Sequence, residues 1–544
     1  MKPSIDLPKH PLAPLEVLRS YPPHEQTLHA LFASRLARDP ARPFILFGDT
    51  TLSWQDFDDA VVRLAHALRA RGVKQGDRIA VISTNHPAHV LLLFALARIR
   101  AIMVPADPKF GVTEARYVFS HAGVSGVFCS ADTHAVAAAA CEGMAPAPWF
   151  CAVDGGVDGL PELDAEIAAA PLAPLADDAS PDDTCLVVYS SGTTGFPKGV
   201  MHSQRTVVLC GERQIARVHL QPDDRCMCVL PMFHVNALLY SVAGAAAAGC
   251  CLVIMPRFSA SQFWRSVVDT GTTQVNLLMA MTTILTRRPR SEFVPGHKLR
   301  CVSGSPFTRE TMDAFLHEFG VARVIEGFGM TEIPGAFSNP YDGPHRLASM
   351  GVPGKHPDPD MPWTQARVLD DEGRPVPDGV TGELAVKIPT IMQGYLNDPA
   401  QTAAAFRDGW FLSGDLVYRD PDDFFFFVAR KKDIIRRRGE NIAGAELDRV
   451  IGEHPQVAEV AAIPVPSELG EEEIMAVVVR KPGADLPATA IRDWCAARLA
   501  AYKVPRFVVF VDELPHTPTH KVAKFALRSD ASLRQRAVDV SAAG

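Results

Sequence analysis

Residues 189–200 have the composition of a loop that binds phosphate. They have the sequence YSSGTTGFPKGV and follow a short apolar run, residues 185–188, that predicts a buried strand. Glycines permit turns that a Cβ would obstruct, and backbone N–H groups, hydroxyls and an ammonium group can all donate to phosphate oxygens. The candidate phosphate ligands are Ser190, Ser191, Gly192, Thr193, Thr194, Gly195 and Lys198.

The order of residues in this loop differs from the Walker loop of nucleotide kinases. In the Walker loop a lysine follows the second glycine and precedes Ser or Thr, whereas here Lys198 lies between Pro197 and Gly199. A kinase, which would release ADP, is therefore disfavoured. On composition alone, a flexible loop without a ligand is the remaining alternative.

A second candidate segment, EGFGMTE, lies at residues 326–332. Its residue types suit a nucleotide, because an aromatic face can pack on a base, a hydroxyl can donate to an oxyanion and a carboxylate binds a hard cation. Together the two segments closely resemble the nucleotide-binding signatures of the adenylate-forming superfamily. That superfamily includes acyl-CoA synthetases, luciferases and the adenylation domains of peptide synthetases.

The resemblance implies roles for individual residues. Phe328 would stack on adenine, and Thr331 would hold the α-phosphate. Glu332 and Thr194 would ligate Mg²⁺. The other nucleotide contacts that the resemblance implies in this part of the chain are Gly304, Ser305, Pro306, Glu326, Gly327 and Gly329.

Two further segments extend the resemblance to the ribose and to a hinge. In GWFLSGD, residues 409–415, Asp415 would accept hydrogen bonds from the ribose hydroxyls. In ARKKD, residues 429–433, Arg430 would contact the ribose and Lys432 would be the hinge between two domains. Ala429 stands where the family usually has glycine.

The segment LPHTPTHKVAK, residues 514–524, resembles the family's C-terminal lysine motif. Lys521 would reach the α-phosphate and the carboxylate during adenylation. His516 replaces the usual basic residue and His520 the usual glycine. A residue other than glycine there, together with RRRGENI at residues 436–442, is similar to the branch of crotonobetaine/carnitine-CoA ligases.

The dense basic segment at residues 430–438 also invites a nuclear-signal or nucleic-acid interpretation. The net charge of −8 argues against nucleic acid as a partner. The resemblance instead implies a loop that carries Gly439 and Glu440 past the pantetheine arm of CoA. We expect Arg437 to pair with a phosphate of CoA.

The carboxylic acid substrate is expected beside His234, which lies in PMFHVNA, residues 231–237. By resemblance its imidazole would orient or gate the acid, and a buried structural histidine is the alternative. Residues near Val235, Met279, Gly304, Met330 and Ile333 would form the pocket. Their types do not distinguish a betaine, a fatty acid, an aryl acid or a small dicarboxylate.

The activity implied is an ATP-dependent, AMP-forming acid–CoA ligase that uses Mg²⁺ and CoA. A carboxylate would attack the α-phosphorus of ATP to give an acyl-adenylate and pyrophosphate, and the CoA thiol would then displace AMP. The alternatives are an enzyme that loads a separate acyl carrier protein and a non-catalytic nucleotide-binding homologue.

Length and composition agree with a globular chain of at least two domains. The chain has 544 residues, of which 47% are hydrophobic and 21% charged. Eleven cysteines without a C-x-x-C pair and no visible secretory signal indicate reduced thiols and a cytoplasmic location. The uncharged stretch 237–255 is long enough to raise the question of a membrane span, but Gly249 divides it into a helix and a strand.

The elements that must position these residues alternate between helix and strand. Residues 53–72 and 88–99 have helical apolar spacing, and residues 78–82 and 101–104 predict strands, which indicates helices covering a sheet. The Ala/Pro-rich stretch 145–180 predicts an exposed loop. Near the end of the chain, strands are predicted at residues 476–479 and 507–511, with a helix between them.

The predicted fold class is α/β, with a large N-terminal domain of helix-covered sheets and a small β-barrel-like part, followed by a smaller mobile α+β domain. The predicted boundaries are an adenylation domain at 1–428, a hinge at 429–434 and a C-terminal domain at 435–544. A monomer or a homodimer is expected.

Overall fold

The computed structural model describes residues 11–176, 178–190, 197–437, 440–467, 472–516 and 522–541. Up to residue 430 this part of the chain contains three sheets flanked and separated by helices. The strands are β1 (Pro43–Phe47), β2 (Thr50–Ser53), β3 (Arg78–Ile82), β4 (Ile102–Ala106), β5 (Gly126–Cys129), β6 (Trp149–Ala152), β7 (Thr184–Ser190), β8 (Lys198–Ser203), β9 (Arg225–Cys228), β10 (Cys251–Ile254), β11 (Gln274–Leu278), β12 (Cys301–Ser305), β13 (Arg323–Phe328), β14 (Phe337–Ser338), β15 (Val352–Pro353), β16 (Gln365–Leu369), β17 (Gly382–Lys387), β18 (Gly394–Tyr395), β19 (Phe406–Arg407), β20 (Trp410–Arg419) and β21 (Phe425–Arg430).

The helices of this part vary from five to seventeen residues in length. They are α1 (Pro14–Arg19), α2 (Leu28–Leu36), α3 (Trp54–Ala70), α4 (Pro87–Arg98), α5 (Val112–Ala122), α6 (His134–Cys141), α7 (Leu163–Ala169), α8 (Gln204–Val218), α9 (Ala243–Ala248), α10 (Phe263–Asp269), α11 (Met279–Arg287), α12 (Arg309–Asp313) and α13 (Pro399–Ala404). A π-helix, Asn236–Val242, leads directly into α9.

Two large sheets form the framework of this part. One has the strand order β15-β14-β13-β12-β11-β9-β10-β1-β2, and the other has the order β18-β8-β7-β4-β3-β5-β6. Strands β9, β11, β12 and β13 are mutually parallel, so the loops that follow them leave from the same edge of the sheet. In open α/β sheets, ligands bind at the carboxyl ends of parallel strands.

Local chemistry accounts for where the helices begin. Ser53 caps α3, because its hydroxyl accepts the N–H of Asp56 while the carboxylate of Asp56 accepts the N–H of Ser53. Helices α8 and α9 approach so closely that a Cβ on Gly211 would lie 2.3 Å from the carbonyl oxygen of Ala243. Glycine at this position lets the two helices pack directly against each other.

A third sheet, with the order β16-β17-β20-β19 and β21 paired to β20, precedes the hinge. Beyond it lie a two-stranded sheet and a four-stranded sheet with the order β24-β25-β26-β27. Their elements are β22 (Ile434–Arg437), β23 (Glu440–Ala443), α14 (Gly444–Gly452), β24 (Val457–Pro466), β25 (Glu472–Arg480), α15 (Ala488–Ala496), β26 (Phe507–Val511), α16 (Lys524–Ser529), α17 (Ala531–Arg536) and β27 (Val538–Asp539).

The fold class predicted from the sequence, an α/β architecture with a smaller C-terminal domain, is confirmed. The helices α3 and α4 and the strands β3, β4 and β26 lie within two residues of their predicted positions. The domain boundaries stay predictions, at 1–428, 429–434 and 435–544. One sheet ends with β21 at Arg430 and the next begins with β22 at Ile434, within the proposed hinge.

The prediction of an exposed loop at residues 145–180 was wrong in part. Strand β6 lies within it and pairs with β5 at the end of the seven-stranded sheet, and Cys151 and Ala152 are fully buried. The Ala/Pro-rich average composition concealed a strand of only four residues.

The uncharged stretch at residues 237–255 contains most of the π-helix, then α9 and β10, with Gly249 in a left-handed conformation between the last two. Among the residues that the structure describes, no helix combines the length and the apolar character needed to cross a bilayer.

Candidate active site

The sheet edge at the carboxyl ends of β9, β11, β12 and β13 gathers several of the predicted site residues. His234 follows β9, Met279 follows β11, Pro306 follows β12, and Phe328 ends β13. These residues are separated by up to 94 positions in the sequence, and the parallel register of the four strands brings them to one edge.

Lys198 and Glu332 are linked through Tyr395. The ammonium nitrogen of Lys198 lies 4.7 Å from the centre of the Tyr395 ring, and the Tyr395 hydroxyl donates to Oε1 of Glu332 at 3.0 Å. Strand β18, which carries Tyr395, pairs with β8, which begins at Lys198. The backbone N–H of Met392 also donates to the carbonyl of Glu332.

Burial shifts the pKa values of Lys198 and Tyr395. Burial lowers the pKa of Lys198, while the nearby carboxylates of Glu332 and Asp398 oppose the shift. Burial and the Glu332 carboxylate raise the pKa of the Tyr395 phenol, so the phenol keeps its proton and remains a donor. The trio therefore presents one ammonium group and one oriented carboxylate.

Asp415 and Arg430 lie opposite each other on the neighbouring strands β20 and β21. Asp415 is fully buried, and the Nε of Arg430 lies 2.6 Å from its Oδ1. The cross-strand register thus places side by side the two residues that the sequence assigned to the ribose.

Lys432 lies in the 3₁₀ turn Lys431–Asp433 that follows β21. Partial burial of its ammonium group, together with the neighbouring cations Arg430, Lys198 and Arg528, lowers the pKa of Lys432 to about 8, although Asp433 opposes the shift. Lys198 and the pair Arg430 and Lys432, which were predicted from two separate segments, are thus close enough to influence one another.

The two residues on either side of Lys432 bind to different parts of the chain. Lys431 donates to Glu383 of β17 at 2.9 Å, and Asp433 accepts from Arg528 of α16 at 2.5 Å. The turn therefore connects the sheet before the hinge to the helices beyond it.

Glu326 is buried at the junction of β12 and β13, where it pairs in register with Gly304. The N–H of Phe307 donates to its Oε1 at 2.9 Å, and its Oε2 has no hydrogen-bond partner within the described chain. Burial raises the pKa of Glu326 to about 7. A Cβ on Gly304 would lie 2.4 Å from the carbonyl oxygen of Leu277, so the close approach of β11 and β12 requires glycine there.

His234 is half-buried, and its ring centre lies 4.2 Å from that of Phe233. Its carbonyl accepts the N–H of Leu238 at the start of the π-helix. Phe328, Met330 and Thr331 are half-buried, whereas Gly329 is exposed. The segment after β13 therefore offers an aromatic face and a hydroxyl at the surface of the site.

Several predicted site residues lie outside the described residues. They are Ser191, Gly192, Thr193, Thr194, Gly195, Gly439 and Lys521. Ser190 ends β7, Gly327 lies within β13, Ser305 ends β12 and Glu440 begins β23.

Glu332 is a suitable ligand for Mg²⁺, because its carboxylate is held in place by Tyr395 and lies near the ammonium group of Lys198. No cluster of three or more His, Cys, Asp or Glu side chains arranged to hold a metal occurs among the described residues. In nucleotide sites Mg²⁺ is commonly held by one or two carboxylates, substrate phosphates and water, and a single oriented carboxylate fits that mode.

The expectation that Arg437 meets a CoA phosphate is corrected by its surroundings. Arg437 is buried, its Nε lies 2.6 Å from Oε2 of Glu473, and its Nη1 donates to the carbonyls of Tyr502 and Val504. Its guanidinium group therefore connects β22, β25 and the segment before β26. The adjacent Arg436 is exposed.

Tyr395 was missed by the sequence analysis. A tyrosine more than 60 residues after Glu332 and almost 200 after Lys198 carries no local signal of a shared site. Only the pairing of β18 with β8 reveals it.

We expect Arg437→Gln to lower the unfolding temperature of the C-terminal part, whereas Arg436→Gln has little effect. Among the described residues, loss of Arg437 leaves the buried Glu473 carboxylate with one more distant ion-pair partner, Arg506 at 4.0 Å. Removing one partner of a buried ion pair costs about 3–5 kcal/mol. Differential scanning calorimetry of both variants measures the difference. If the two variants unfold at the same temperature and only Arg437→Gln needs more CoA for activity, Arg437 binds a CoA phosphate after all.

Comparison with known proteins agrees with this arrangement. Residues 32–396 match the family described as AMP-binding enzyme, and residues 446–521 match the AMP-binding enzyme C-terminal domain. The chain is 34% identical over 522 residues to a sulfoacetate–CoA ligase of Cupriavidus necator, covering 94% of this chain and 99% of that protein. It is 30% identical to a crotonobetaine/carnitine–CoA ligase of Proteus mirabilis, covering 87% and 92% of the two chains.

Among solved structures, ATP-bound MatB from Rhodopseudomonas palustris is similar, with a TM-score of 0.79 and 28% identity over 92% of this chain and 98% of that one. The resemblance inferred from the motifs is thereby confirmed. Two family matches that together span most of the sequence, and relatives at 30% identity or more over most of their length, establish that this chain belongs to the family of AMP-binding enzymes.

Proposed function

We propose that this chain is an ATP-dependent, AMP-forming carboxylic acid–CoA ligase. The observation that carries the proposal is the linked group of Lys198, Tyr395 and Glu332, which offers a cation for phosphate and a carboxylate for Mg²⁺ within one pocket wall. The relatives are named as CoA ligases for acids as different as sulfoacetate and indoleacetate, so their names support the reaction more than a particular acid.

The first half-reaction needs no protein nucleophile. A substrate carboxylate oxygen attacks the α-phosphorus, the bond to the bridging oxygen breaks, and pyrophosphate leaves. Positioning and electrostatic stabilisation of the developing charge lower the barrier. Lys198 donates to the phosphates, and the carboxylates of Glu332 and Asp398 favour its charged form.

Nucleotide binding is assigned to the same cluster of strands and loops. Glu332 would hold Mg²⁺, with Thr194 as the second candidate ligand, and the ion would neutralise charge on the phosphates. Asp415, held by Arg430, accepts from the ribose hydroxyls, and Phe328 packs on the base.

Further residues are assigned to the nucleotide, and some of them lie outside the described part of the chain. The backbone and side chains at Gly304, Ser305, Pro306, Glu326, Gly327 and Gly329 border the base and ribose. The loop at residues 190–195 cradles the phosphates, and Thr331 donates to the α-phosphate.

The second half-reaction exchanges AMP for CoA. Lys521 is needed only while the carboxylate meets the α-phosphate, so a rotation about Lys432 withdraws it and presents the face of Gly439 and Glu440 to the pantetheine arm. The opposed anchors of Lys431 and Asp433 support a pivot at this turn, since one holds to β17 and the other to α16. His234 orients the acid.

The proposal is tested by measuring pyrophosphate release from MgATP with a panel of short, medium, aryl, dicarboxylic, sulfonated and betaine acids, with and without CoA. Hydroxylamine traps the adenylate. A ligase gives AMP and a thioester only when CoA is present. Adenylate formation that is indifferent to CoA would indicate a separate carrier protein, and nucleotide binding without turnover would indicate a non-catalytic homologue.

We expect Lys521→Ala to slow adenylation by about 100-fold or more, because one charge-stabilising donor at a transition state contributes on that scale. Thioester formation from a synthetic acyl-adenylate should change far less. Lys481→Ala, which removes an exposed lysine from the same part of the chain, is the control. Equal damage to both half-reactions would contradict the role of Lys521.

We expect Tyr395→Phe to raise the Mg²⁺ concentration needed for half-maximal adenylation by about tenfold or more, because a group that orients a metal ligand contributes on that scale. The aromatic face beneath Lys198 is retained. Tyr418→Phe, in which the altered ring stacks on Phe426, is the matched control. An unchanged Mg²⁺ requirement would show that the hydrogen bond to Glu332 does not position the carboxylate.

A further inference from the structure

Helix α8 carries two buried arginines one turn apart. Arg213 is 2% exposed and Arg217 is 7% exposed. Residues four apart on a helix project from the same face, so the two guanidinium groups occupy one region. Each lowers the stability of the other's charge, and burial together with this repulsion lowers the pKa of Arg213 to about 9.

Neither arginine has an acidic partner in the described part of the chain. Arg213 donates from Nη2 to the Ser338 hydroxyl at 2.7 Å, and the guanidinium carbon of Arg217 lies 5.4 Å from the ring centre of Tyr240. The Nε atoms of both arginines are buried without an acceptor among the described residues. Burying two neighbouring cations without an anion is strongly unfavourable.

Two other buried arginines are compensated by neighbouring groups. Arg300 forms an ion pair with Asp224, and Arg35 donates twice to the carbonyl of Ala247 and once to Ser34. The pair on α8 thus differs from the buried arginines with a clear structural role.

The pair adjoins the segments that border the expected acid pocket. Nη2 of Arg217 lies 2.6 Å from where a Cβ on Gly327 would be, and Cγ of Arg213 lies 3.5 Å from the corresponding point at Gly335. These glycines flank the segment that contains Met330 and Ile333, two of the expected pocket residues.

Tyr240 connects the arginines to the other expected wall. It lies on the π-helix that begins directly after Val235, and its hydroxyl accepts the N–H of Gly335 at 2.8 Å. On the same π-helix, Oδ1 of Asn236 is buried and finds no donor in the described chain. Buried polar atoms without a partner in the described chain therefore occur on both α8 and the π-helix.

We infer that Arg213 and Arg217 bind a second anionic group, a carboxylate or a sulfonate, on the acid that this enzyme activates. This inference rests on the proposed ligase function. The guanidinium fork suits the oxygens of both groups, and the bound anion supplies the charge that the protein lacks at this position. The substrate is accordingly a doubly charged acid, with one carboxylate directed to ATP and the other anion directed to α8.

The first test compares matched acids in the pyrophosphate-release assay. Malonate, succinate and sulfoacetate carry the second anion, and propionate and butyrate lack it. The wild-type enzyme should prefer at least one doubly charged acid by about 100-fold or more in kcat/KM, because a site built for a polar group rejects analogues that lack it. Arg213→Met and Arg217→Met should remove the preference and retain turnover of the singly charged acid.

Two further variants separate recognition from folding. Arg217→Lys keeps the charge and loses the planar fork, so it should keep part of the preference. Arg205→Met removes a half-buried arginine from the first turn of the same helix, where it pairs with Asp182, and should keep the full preference. If Arg217→Met does not fold, the loss in Arg217→Lys still tests the inference.

Binding without turnover provides a second readout. With α,β-methylene-ATP present, the preferred doubly charged acid should raise the unfolding temperature of the wild-type protein, and its affinity should fall by about 100-fold in Arg217→Met. Without ligand, Arg217→Met should be at least as stable as the wild type, because a buried cation has been replaced by an apolar side chain.

The outcomes separate the inference from the function on which it rests. Equal use of singly and doubly charged acids by the wild type, or a preference that both methionine variants retain, would overturn the inference and leave the ligase assignment in place. Absence of pyrophosphate release with every acid would overturn the ligase assignment itself.

Discussion

The contact between Tyr395 and Glu332 joins the two large sheets at the site where the chemistry is assigned. Tyr395 belongs to the edge strand of the seven-stranded sheet, and Glu332 belongs to the loop that leaves the nine-stranded sheet after β13. The hydroxyl can donate because burial keeps the phenol protonated, and the same ring packs beneath the ammonium group of Lys198. One side chain therefore sets the separation between the cation and the carboxylate.

Other buried carboxylates, in the site and outside it, are paired with arginines. Asp415 is held by Arg430, and Arg437 is held by Glu473. Where a buried ion pair is complete, it stabilises the arrangement of strands, and removal of one partner is costly. The arginines of α8 depart from this pattern, since Ser338 and the Tyr240 ring are neutral. That contrast is the basis for assigning them to a ligand.

The turn at Lys432 contains charged residues and is also the proposed pivot of the domain rotation. Its neighbours are anchored to different parts of the chain, and the lowered pKa of Lys432 reflects partial burial first and then the nearby cations Arg430, Lys198 and Arg528. A bound phosphate would offset the repulsion among these cations. The proposed rotation between half-reactions thus has a physical reason to respond to the nucleotide.

The sequence by itself determined the family, the α/β alternation and the residues whose chemistry is local. Segments such as EGFGMTE and YSSGTTGFPKGV combine donors, glycines and carboxylates within a few positions, so composition and order suffice to indicate a nucleotide. The register of β20 and β21 then placed Asp415 against Arg430, in agreement with their assignment to one ribose.

Only the tertiary structure decided which distant residues meet and which cations are already used. Tyr395 reaches Glu332 through strand pairing, Arg437 is taken by Glu473 in the C-terminal core, and β6 completes a sheet from within a stretch of low-complexity appearance. The sequence analysis singled out neither Arg213 nor Arg217, because only the folded chain shows that they are buried. The reason is that the environment of a charge depends on every segment packed around it, and residues far apart in sequence supply that environment.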